Sequence, residues 1–199
     1  MSDSERPPDS GRSVEERVRQ TTVGEPAVLN DTITLVEYDP RWPLDFEREA
    51  QRIKRVLGDR ALLVEHAGST SVPGLTAKPI IDIVLAVENS ADEPAYAAPL
   101  QAAGYVLRIR EPDWHEHRLF KGPDININLH VFTLGSPEIE RMLLLRDHLR
   151  ADPADRELYA RTKRELALKS WKYVQEYADA KGPVVEAIIG RASARAKTR

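Results

Sequence analysis

One acidic residue lies inside an otherwise apolar segment of this 199-residue chain. Asp82 interrupts the run from Ile80 to Val87, whose length and composition are typical of a buried β-strand. Burying an unpaired carboxylate is costly, so we expect Asp82 to be ion-paired, hydrogen-bonded or bound to a metal ion. A purely structural pairing, for example with the nearby Lys78, is the alternative.

A loop of small residues comes before that strand, and it consists of Gly68, Ser69, Thr70 and Ser71. The apolar segment from Ala61 to Val64 ahead of it predicts another strand. Backbone amides and three consecutive hydroxyl groups can cradle a phosphate, although this composition is also ordinary in loops. Together with Asp82, the loop predicts a site for a phosphate group and a metal ion.

Histidines gather around the same segments. The predicted strand from Ile125 to Phe132 alternates, so that Asn126, Asn128 and His130 share a polar face, which we expect to form the floor of a cleft. The further histidines are His66 at the loop, and His115 and His117 on a predicted strand from His115 to Lys121. Imidazole groups serve both as metal ligands and as acids or bases near neutral pH. Each of these histidines could instead be structural, and the polar face could be a half-exposed sheet face.

These features predict a role for each candidate residue. We expect Asp82 and His130 to be catalytic, and Asp82, His130 and His117 to hold a metal ion. Phosphate groups are expected to contact Gly68, Ser69, Thr70, Ser71, Lys78, Arg118 and Arg146. The cleft is expected to be lined further by His66, His115 and Asn128. The basic residues could alternatively be solvent-exposed charges.

The stretch around the loop and Asp82 resembles the hallmark of the GrpB-like family. The matching residues run His66-Ala67-Gly68-Ser69-Thr70-Ser71-Val72-Pro73-Gly74-Leu75-Thr76-Ala77-Lys78-Pro79-Ile80-Ile81-Asp82-Ile83. The resemblance extends from about Tyr38 to about Trp171, and Arg146-Asp147 resembles a further pair of the family. It implies a nucleotidyltransferase-like fold, in which a Gly-Ser turn holds a triphosphate and a strand acid, matched here by Asp82, binds metal.

The chain departs from the wider superfamily pattern at two places. The second acid of the superfamily lies two residues after the first, where this chain has Val84. The third lies on a later strand, where this chain has Asn128 or His130. The resemblance also implies an association with coenzyme A metabolism, because GrpB-like domains occur fused to dephospho-CoA kinase. The chain has no Gly-x-x-x-x-Gly-Lys-Ser/Thr loop, so we do not expect it to be that kinase itself.

The composition excludes several kinds of site. The chain has no cysteine, which excludes disulfides, thiolate catalysis and cysteine-bound zinc. Its net charge of −3 gives no overall attraction to nucleic acid or to anionic membranes, so neither is an expected partner. No apolar run approaches the roughly 20 residues that span a bilayer, and the N-terminus has no apolar signal core. We therefore expect a cytoplasmic protein.

The order of predicted elements, together with the resemblance, indicates an α/β (α+β) fold with a nucleotidyltransferase-like mixed sheet, flanking helices and a C-terminal helical extension. Residues 1–28 are predicted to be a disordered tail, with a short helix from Ser13 to Gln20 as an alternative. Residues 29–190 are predicted to form the domain, and residues 191–199 a basic, frayed tail. A strand is predicted over 32–36, and helices over 44–57, 93–103, 137–150, 153–180 and 184–189.

Three functions are compatible with these patterns. The first is metal-dependent transfer of a nucleotidyl or phosphoryl group from a nucleoside triphosphate to a small-molecule acceptor. The metal would be Mg²⁺ or Mn²⁺, or Zn²⁺ because of the histidines. The second, favoured by Val84, is a binding module that holds a nucleotide or anionic metabolite without turnover. The third is an interaction protein with structural histidines. The oligomeric state stays open.

Overall fold

The computed structural model describes residues 12–197 of the chain. The helices in this range are α1 (Val14–Thr21), α2 (Trp42–Leu57), α3 (Glu93–Ala102), α4 (Pro137–Ala151), α5 (Pro153–Ala167), α6 (Val174–Ala180) and α7 (Gly182–Lys197). The strands are β1 (Leu63–Ala67), β2 (Ile81–Val87), β3 (Val106–Glu111), β4 (His117–Lys121) and β5 (Ile127–Thr133). Within these residues, no helix is both long enough and apolar enough to cross a bilayer.

The five strands form one mixed sheet in the order β1-β2-β5-β4-β3. The central pair, β2 and β5, is parallel, and the other neighbours are antiparallel. The register of the central pair sets Asp82 opposite Asn128 and Val84 opposite His130. The predicted α/β mixed sheet with flanking helices and a C-terminal helical extension is therefore confirmed.

One face of the sheet forms the main core of the molecule. Since side chains alternate between the two faces of a strand, Ile83, Leu85 and Leu129 point to this face and are fully buried. Helices α2 and α3 cover them, with Ile53 and Leu100 in the same apolar cluster. Each such side chain stabilises the fold by about 1.5–3 kcal/mol relative to exposure.

The opposite face is divided into an apolar part and a polar part. Val84 and Phe132 pack against Ile139 of α4, which covers this part of the sheet. The polar part carries Asp82 of β2 and Asn128 of β5, which are half-buried. The division follows from where α4 lies, because a carboxylate could not be placed under its apolar residues without a large cost.

The C-terminal helices pack on the segment between β1 and β2. Val72 and Leu75 of that segment are fully buried against Leu149 of α4, Tyr159 of α5 and Ile188 of α7. This apolar cluster brings α5 to the loop that precedes β2. The helical extension therefore forms one wall of the region in which the candidate residues lie.

Both predicted tails are more ordered than expected within the described residues. In the N-terminal one, Ser13 and Glu16 form a capping box at α1, as the alternative short helix requires. Arg17 pairs with Asp179 at 2.8 Å, which ties α1 to α6. In the C-terminal one, α7 continues past Arg191, which pairs with a helix residue (Asp155) at 2.6 Å. These long-range ion pairs join segments of weak local pattern to the rest of the domain. Residues 1–11 and 198–199, which include most of the predicted N-terminal extension before α1, lie outside the described residues.

Three other predicted boundaries were wrong. The segment 32–36 is not a regular strand, because it makes a single isolated bridge, Val36 with Ala77; Asp31, just before it, makes another with Trp171. The helix predicted over 153–180 is broken into α5 and α6, since the backbone around Trp171 turns aside to pair with Asp31. His115 precedes β4, in a turn where its backbone φ is 52°.

Candidate functional site

The loop before β2 lies directly against the acid of that strand. Gly68 has a backbone φ of 65°, and a β-carbon at this position would lie 2.2 Å from the Asp82 Oδ2 atom. Only glycine tolerates both this φ and this proximity. The short helical turn Ser69–Ser71 that follows is therefore held beside the carboxylate. The predicted neighbourhood of loop and acid is present.

Two of the three loop hydroxyls hold the turn together. The Thr70 hydroxyl donates to the Ile80 carbonyl oxygen at 3.1 Å, and the Ser71 hydroxyl donates to the Gly68 carbonyl oxygen at 2.6 Å. Both side chains are buried. Ser69 is half-buried, and its hydroxyl lies 2.9 Å from the Nζ atom of Lys163. The predicted cradle of three hydroxyls is thus reduced to one, because the other two are needed to close the turn.

Asp82 begins a row of polar side chains that crosses the sheet. Asn128 Nδ2 donates to Asp82 Oδ1 at 2.7 Å, and Lys121 Nζ donates to Asn128 Oδ1 at 2.5 Å. The row follows from the register, which places all three residues on one face of adjacent strands. Asn128 therefore holds the carboxylate in place and has both ends of its amide occupied.

Three more residues continue the row in the other direction. Glu111 Oε2 lies 2.7 Å from His117 Nδ1, and His117 Nε2 lies 3.1 Å from His130 Nδ1. The His130 Nε2 atom lies 3.6 Å from Asp82 Oδ1. A carboxylate only accepts hydrogen bonds, so His117 donates from Nδ1, and neutral His117 then accepts at Nε2 from His130. His130 Nε2 therefore faces the Asp82 carboxylate with a lone pair when the ring is neutral, and with a hydrogen-bond donor when the ring is protonated.

A cation between the Asp82 oxygen and the His130 nitrogen would be favoured over two acceptors that face each other at 3.6 Å. Asp82 and His130 are suited to share either a proton or a metal ion, and their oxygen and nitrogen donors fit Mn²⁺ or Zn²⁺ better than Mg²⁺. The predicted third ligand, His117, does not fit this role, since its two ring nitrogens contact Glu111 and His130. His117 instead contacts the Nδ1 side of His130, away from Asp82.

Electrostatics keeps the acid charged. Burial raises the pKa of Asp82, but hydrogen bonding and charge from His130, the Asn128 amide and the Lys78 charge together hold it below its usual 3.8. Burial, reinforced by the charge of Lys181, lowers the pKa of Lys78 to about 8. Burial also lowers the pKa of Lys121. At neutral pH the site thus combines an ionised carboxylate with ammonium groups.

Lys163 is a site residue that the sequence patterns missed. Its side chain is 2% exposed, and its Nζ atom donates to Ser69 Oγ and to the Thr76 carbonyl oxygen. The available signal was helical spacing: Tyr159, Lys163 and Ala167 recur every four residues and are all buried. A lysine on the apolar stripe of a helix needs a buried partner, unlike the exposed lysines and arginines around it.

Two predicted site residues lie on the opposite face of the sheet. Arg118 Nε donates to Glu93 Oε1 at 2.6 Å, so this cation forms an ion pair with α3. His66 stacks on Phe46 at a centroid distance of 4.8 Å. Its burial lowers the pKa to about 4. The structure does not bring Arg118 or His66 to the polar row.

Arg146 and His115 also occupy structural positions. Arg146 Nη1 donates to Glu65 Oε2 at 2.7 Å and to the His66 carbonyl oxygen at 3.0 Å, which fastens α4 to β1. Arg150, one turn further along α4, donates to the Ser71 carbonyl oxygen at 2.8 Å. The His115 ring contacts Trp114 at a centroid distance of 5.3 Å, in the turn before β4. The two arginines thus hydrogen-bond to backbone carbonyl groups on either side of the loop and help to fix its position.

A second group of possible metal ligands lies among the C-terminal helices. Among the described residues, His148, Asp152 and Asp155 are the one group of three whose ligand atoms converge. Asp155 already accepts two hydrogen bonds from Arg191, at 2.6 and 3.0 Å. Asp152 caps α5 and pairs with Arg195 at 2.5 Å. The carboxylates are therefore neutralised by arginines, and the group is an ion-pair cluster.

Two surface hollows lie away from the polar row. One is lined by Arg19, Gly24, Glu25, Pro26, Val28 and Tyr173. The other is lined by Thr32, Ile33, Leu35, Arg164, Ala167 and Leu168. Neither lining contains a residue with a side-chain contact to Asp82 or Ser69. The candidate site is therefore defined by its polar and charged side chains and not by either hollow.

A mixed sheet with a Gly-Ser turn packed on a strand acid is consistent with the nucleotidyltransferase-like class of proteins. The family model described as GrpB protein matches residues 32–191. The chain belongs to the GrpB family. The family prediction is therefore confirmed.

Similar proteins support this assignment. The UPF0157 protein BH1888 of Halalkalibacterium halodurans is 61% identical over 180 residues, which cover 90% of this chain and 92% of that protein. The crystal structure of conserved protein GrpB from Enterococcus faecalis aligns with a TM-score of 0.68 and 31% identity, and covers 80% of this chain and 96% of that one. The dephospho-CoA kinase of Mycolicibacterium paratuberculosis is 32% identical over 177 residues, which cover 76% of this chain but 44% of the kinase.

Proposed function

We propose that this protein transfers a nucleotidyl or phosphoryl group from a nucleoside triphosphate to a small-molecule acceptor, with a divalent metal ion. The observation that carries the proposal is the contact between Gly68 and Asp82. It places the Gly-Ser turn, a kind of turn that can bind phosphate groups, beside an ionised carboxylate. The chain is similar to 44% of a protein named dephospho-CoA kinase, which supports an association of this domain with coenzyme A metabolism and not a kinase activity of its own.

Asp82 and His130 would hold the metal ion, since a carboxylate oxygen and an imidazole nitrogen 3.6 Å apart face each other. When bound, such an ion acts as a Lewis acid on a phosphoryl oxygen. Asn128 fixes the orientation of Asp82 through its 2.7 Å hydrogen bond. Glu111 acts one step further back, because it sets the tautomers of His117 and His130.

Two residues of the chain would bind the phosphate groups. Ser69 offers a half-buried hydroxyl at the turn. Lys78 carries a positive charge below its pKa of about 8 and interacts with the charge of Asp82. A cation in this position neutralises charge that develops on the group being transferred.

A binding module that holds a nucleotide without turnover is the second candidate. It is favoured by Val84, which stands where the superfamily has its second acid. Val84 is fully buried in an apolar cluster with Phe132 and Ile139. The space that a second metal-binding carboxylate would occupy is thus taken by packed apolar side chains of β2, β5 and α4.

Titration calorimetry can separate the two candidates. ATP, GTP, CTP, UTP and dephospho-CoA are titrated into the wild type, Asp82→Asn and Asp59→Asn, each with and without Mn²⁺; Asp59 is an exposed acid and serves as the control. Transfer requires nucleotide binding that is strengthened by Mn²⁺ in the wild type and in Asp59→Asn, and not in Asp82→Asn. Metal-independent binding that survives in Asp82→Asn favours the binding module, and the absence of any binding contradicts both.

A further inference from the structure

A buried lysine without a carboxylate partner lies behind the Ser69 turn. Lys163 is almost fully buried, and its Nζ atom donates to the Ser69 hydroxyl at 2.9 Å and to the Thr76 carbonyl oxygen. Its ring neighbour is Tyr159, with the ammonium 4.8 Å from the ring centroid. Within the described residues Lys163 forms no ion pair with an acid, which is unusual because a buried charge is costly unless it is paired.

Two more lysines converge on the same place. The Nζ atoms of Lys78 and Lys181 lie 5.8 and 4.7 Å from the centroid of the Tyr177 ring. Lys181 is close enough to Lys78 and to Lys163 for its charge to disfavour theirs. Like-charged groups repel, so three clustered ammonium groups destabilise the folded protein unless an anion joins them.

The polar groups around the lysines point to the same kind of ligand. The Tyr177 hydroxyl is buried and has no hydrogen-bond partner among the described residues. The Ser69 hydroxyl is already in contact with Lys163 and, as a hydroxyl, can also donate. Burial, together with the charges of Lys181 and Arg164, lowers the pKa of Lys163 to about 7. A ligand with several negative oxygens would relieve this repulsion.

We propose that Lys78, Lys163 and Lys181, with Ser69, form a binding site for a polyphosphate chain. The lysines supply the charge that such a chain requires, and the serine and the buried Tyr177 hydroxyl supply neutral donors. The ligand is either the triphosphate of a nucleotide or free inorganic polyphosphate. The site rests on the proposed function only in sharing the Ser69 turn, since the lysines bind phosphate whether or not transfer follows.

The test is titration calorimetry with inorganic tripolyphosphate and with ATP, both in EDTA so that no metal ion contributes. Lys163→Met and Lys181→Met are each expected to weaken tripolyphosphate binding at least about tenfold, because each removes a charge-assisted contact. Lys169→Met removes an exposed lysine just beyond α5 and is expected to bind like the wild type. Lys181→Met is included because the half-buried Lys181 can be replaced with less risk to folding.

The outcomes separate this site from the transfer reaction. Asp82→Asn removes a negative charge near Lys78, so tripolyphosphate binding in EDTA is expected to persist or tighten while metal-dependent nucleotide binding is lost. Tighter binding of ATP than of tripolyphosphate would identify a nucleotide site, and the reverse order an inorganic polyphosphate site. Equal affinity in the wild type and in both lysine variants, or no binding by the wild type, would overturn the proposal.

Discussion

Gly68 packs so closely against Asp82 that there is no room for a methyl group between them. A β-carbon added at Gly68 would lie 2.2 Å from the Asp82 Oδ2 atom. This contact joins the two sequence features, loop and acid, into one site. It also makes the site sensitive to the smallest possible substitution.

Gly68→Ala is expected to destabilise the protein by about 2–4 kcal/mol, from the positive φ together with overpacking against Asp82. Gly74→Ala is the matched control, because Gly74 also has a positive φ, of 76°, but nothing lies within 4 Å of its added β-carbon. Urea denaturation measures both free energies of unfolding. Equal decreases in the free energy of unfolding of the two variants would show that crowding against Asp82 adds nothing to the cost of the substitution.

The Glu111–His117–His130 row is expected to set the His130 tautomer. In ¹⁵N NMR spectra, neutral His130 of the wild type should carry its proton on Nδ1. Glu111→Ala should shift the population towards the Nε2 tautomer and weaken Mn²⁺ or Zn²⁺ binding about 10–100-fold. Glu111→Gln keeps an acceptor for the His117 N–H group and should restore part of both. If the tautomer and the metal affinity are unchanged in Glu111→Ala, Glu111 has no positioning role.

Lys163 is expected to make stability depend on pH. Its pKa is lowered to about 7 by burial and by the charges of Lys181 and Arg164, from an ordinary 10.5. The unfolded chain therefore binds more protons between these values, and the free energy of unfolding should rise with pH from about 7 to 10.5, by at most about 1.4 kcal/mol per pH unit.

Urea denaturation from pH 6 to pH 10 measures this rise. Lys78, whose pKa is lowered to about 8, contributes with the same sign over a narrower range. Lys163→Met should therefore flatten the rise without removing it, and Lys169→Met should leave it unchanged. A profile in Lys163→Met as steep as that of the wild type would contradict a buried, unpaired lysine.

Arg118 is expected to matter for stability and not for phosphate binding. It pairs with Glu93 on the face of the sheet opposite Asp82, with a side chain that is 7% exposed. Arg118→Met should destabilise the fold by roughly 2–4 kcal/mol, because Glu93 loses its more buried partner and keeps only Arg110. Tripolyphosphate affinity of the folded variant should equal that of the wild type, whereas Lys78→Met should lower it; a loss of affinity in Arg118→Met would return Arg118 to the site.

The sequence by itself determined the features that depend on neighbouring residues. The apolar run around Asp82, the small residues of the loop and the alternation of β5 follow from local patterns, because side-chain periodicity is a property of the strand alone. The same alternation separates His117 from Arg118 on β4. It does not say which of the two faces carries the site, and for that reason the sequence also predicts Arg118 there.

The tertiary structure decided which distant groups meet. Asn128 and His130 reach Asp82 only through the parallel register of β2 with β5, and Lys163 reaches Ser69 only because α5 packs on the segment between β1 and β2. These contacts join residues far apart in the chain, whose pairing depends on the burial of whole faces against each other. A local sequence pattern does not specify which faces pack together. The proximity of Lys78, Lys163 and Lys181, and the long-range contacts of both terminal segments, are therefore visible only in the folded chain.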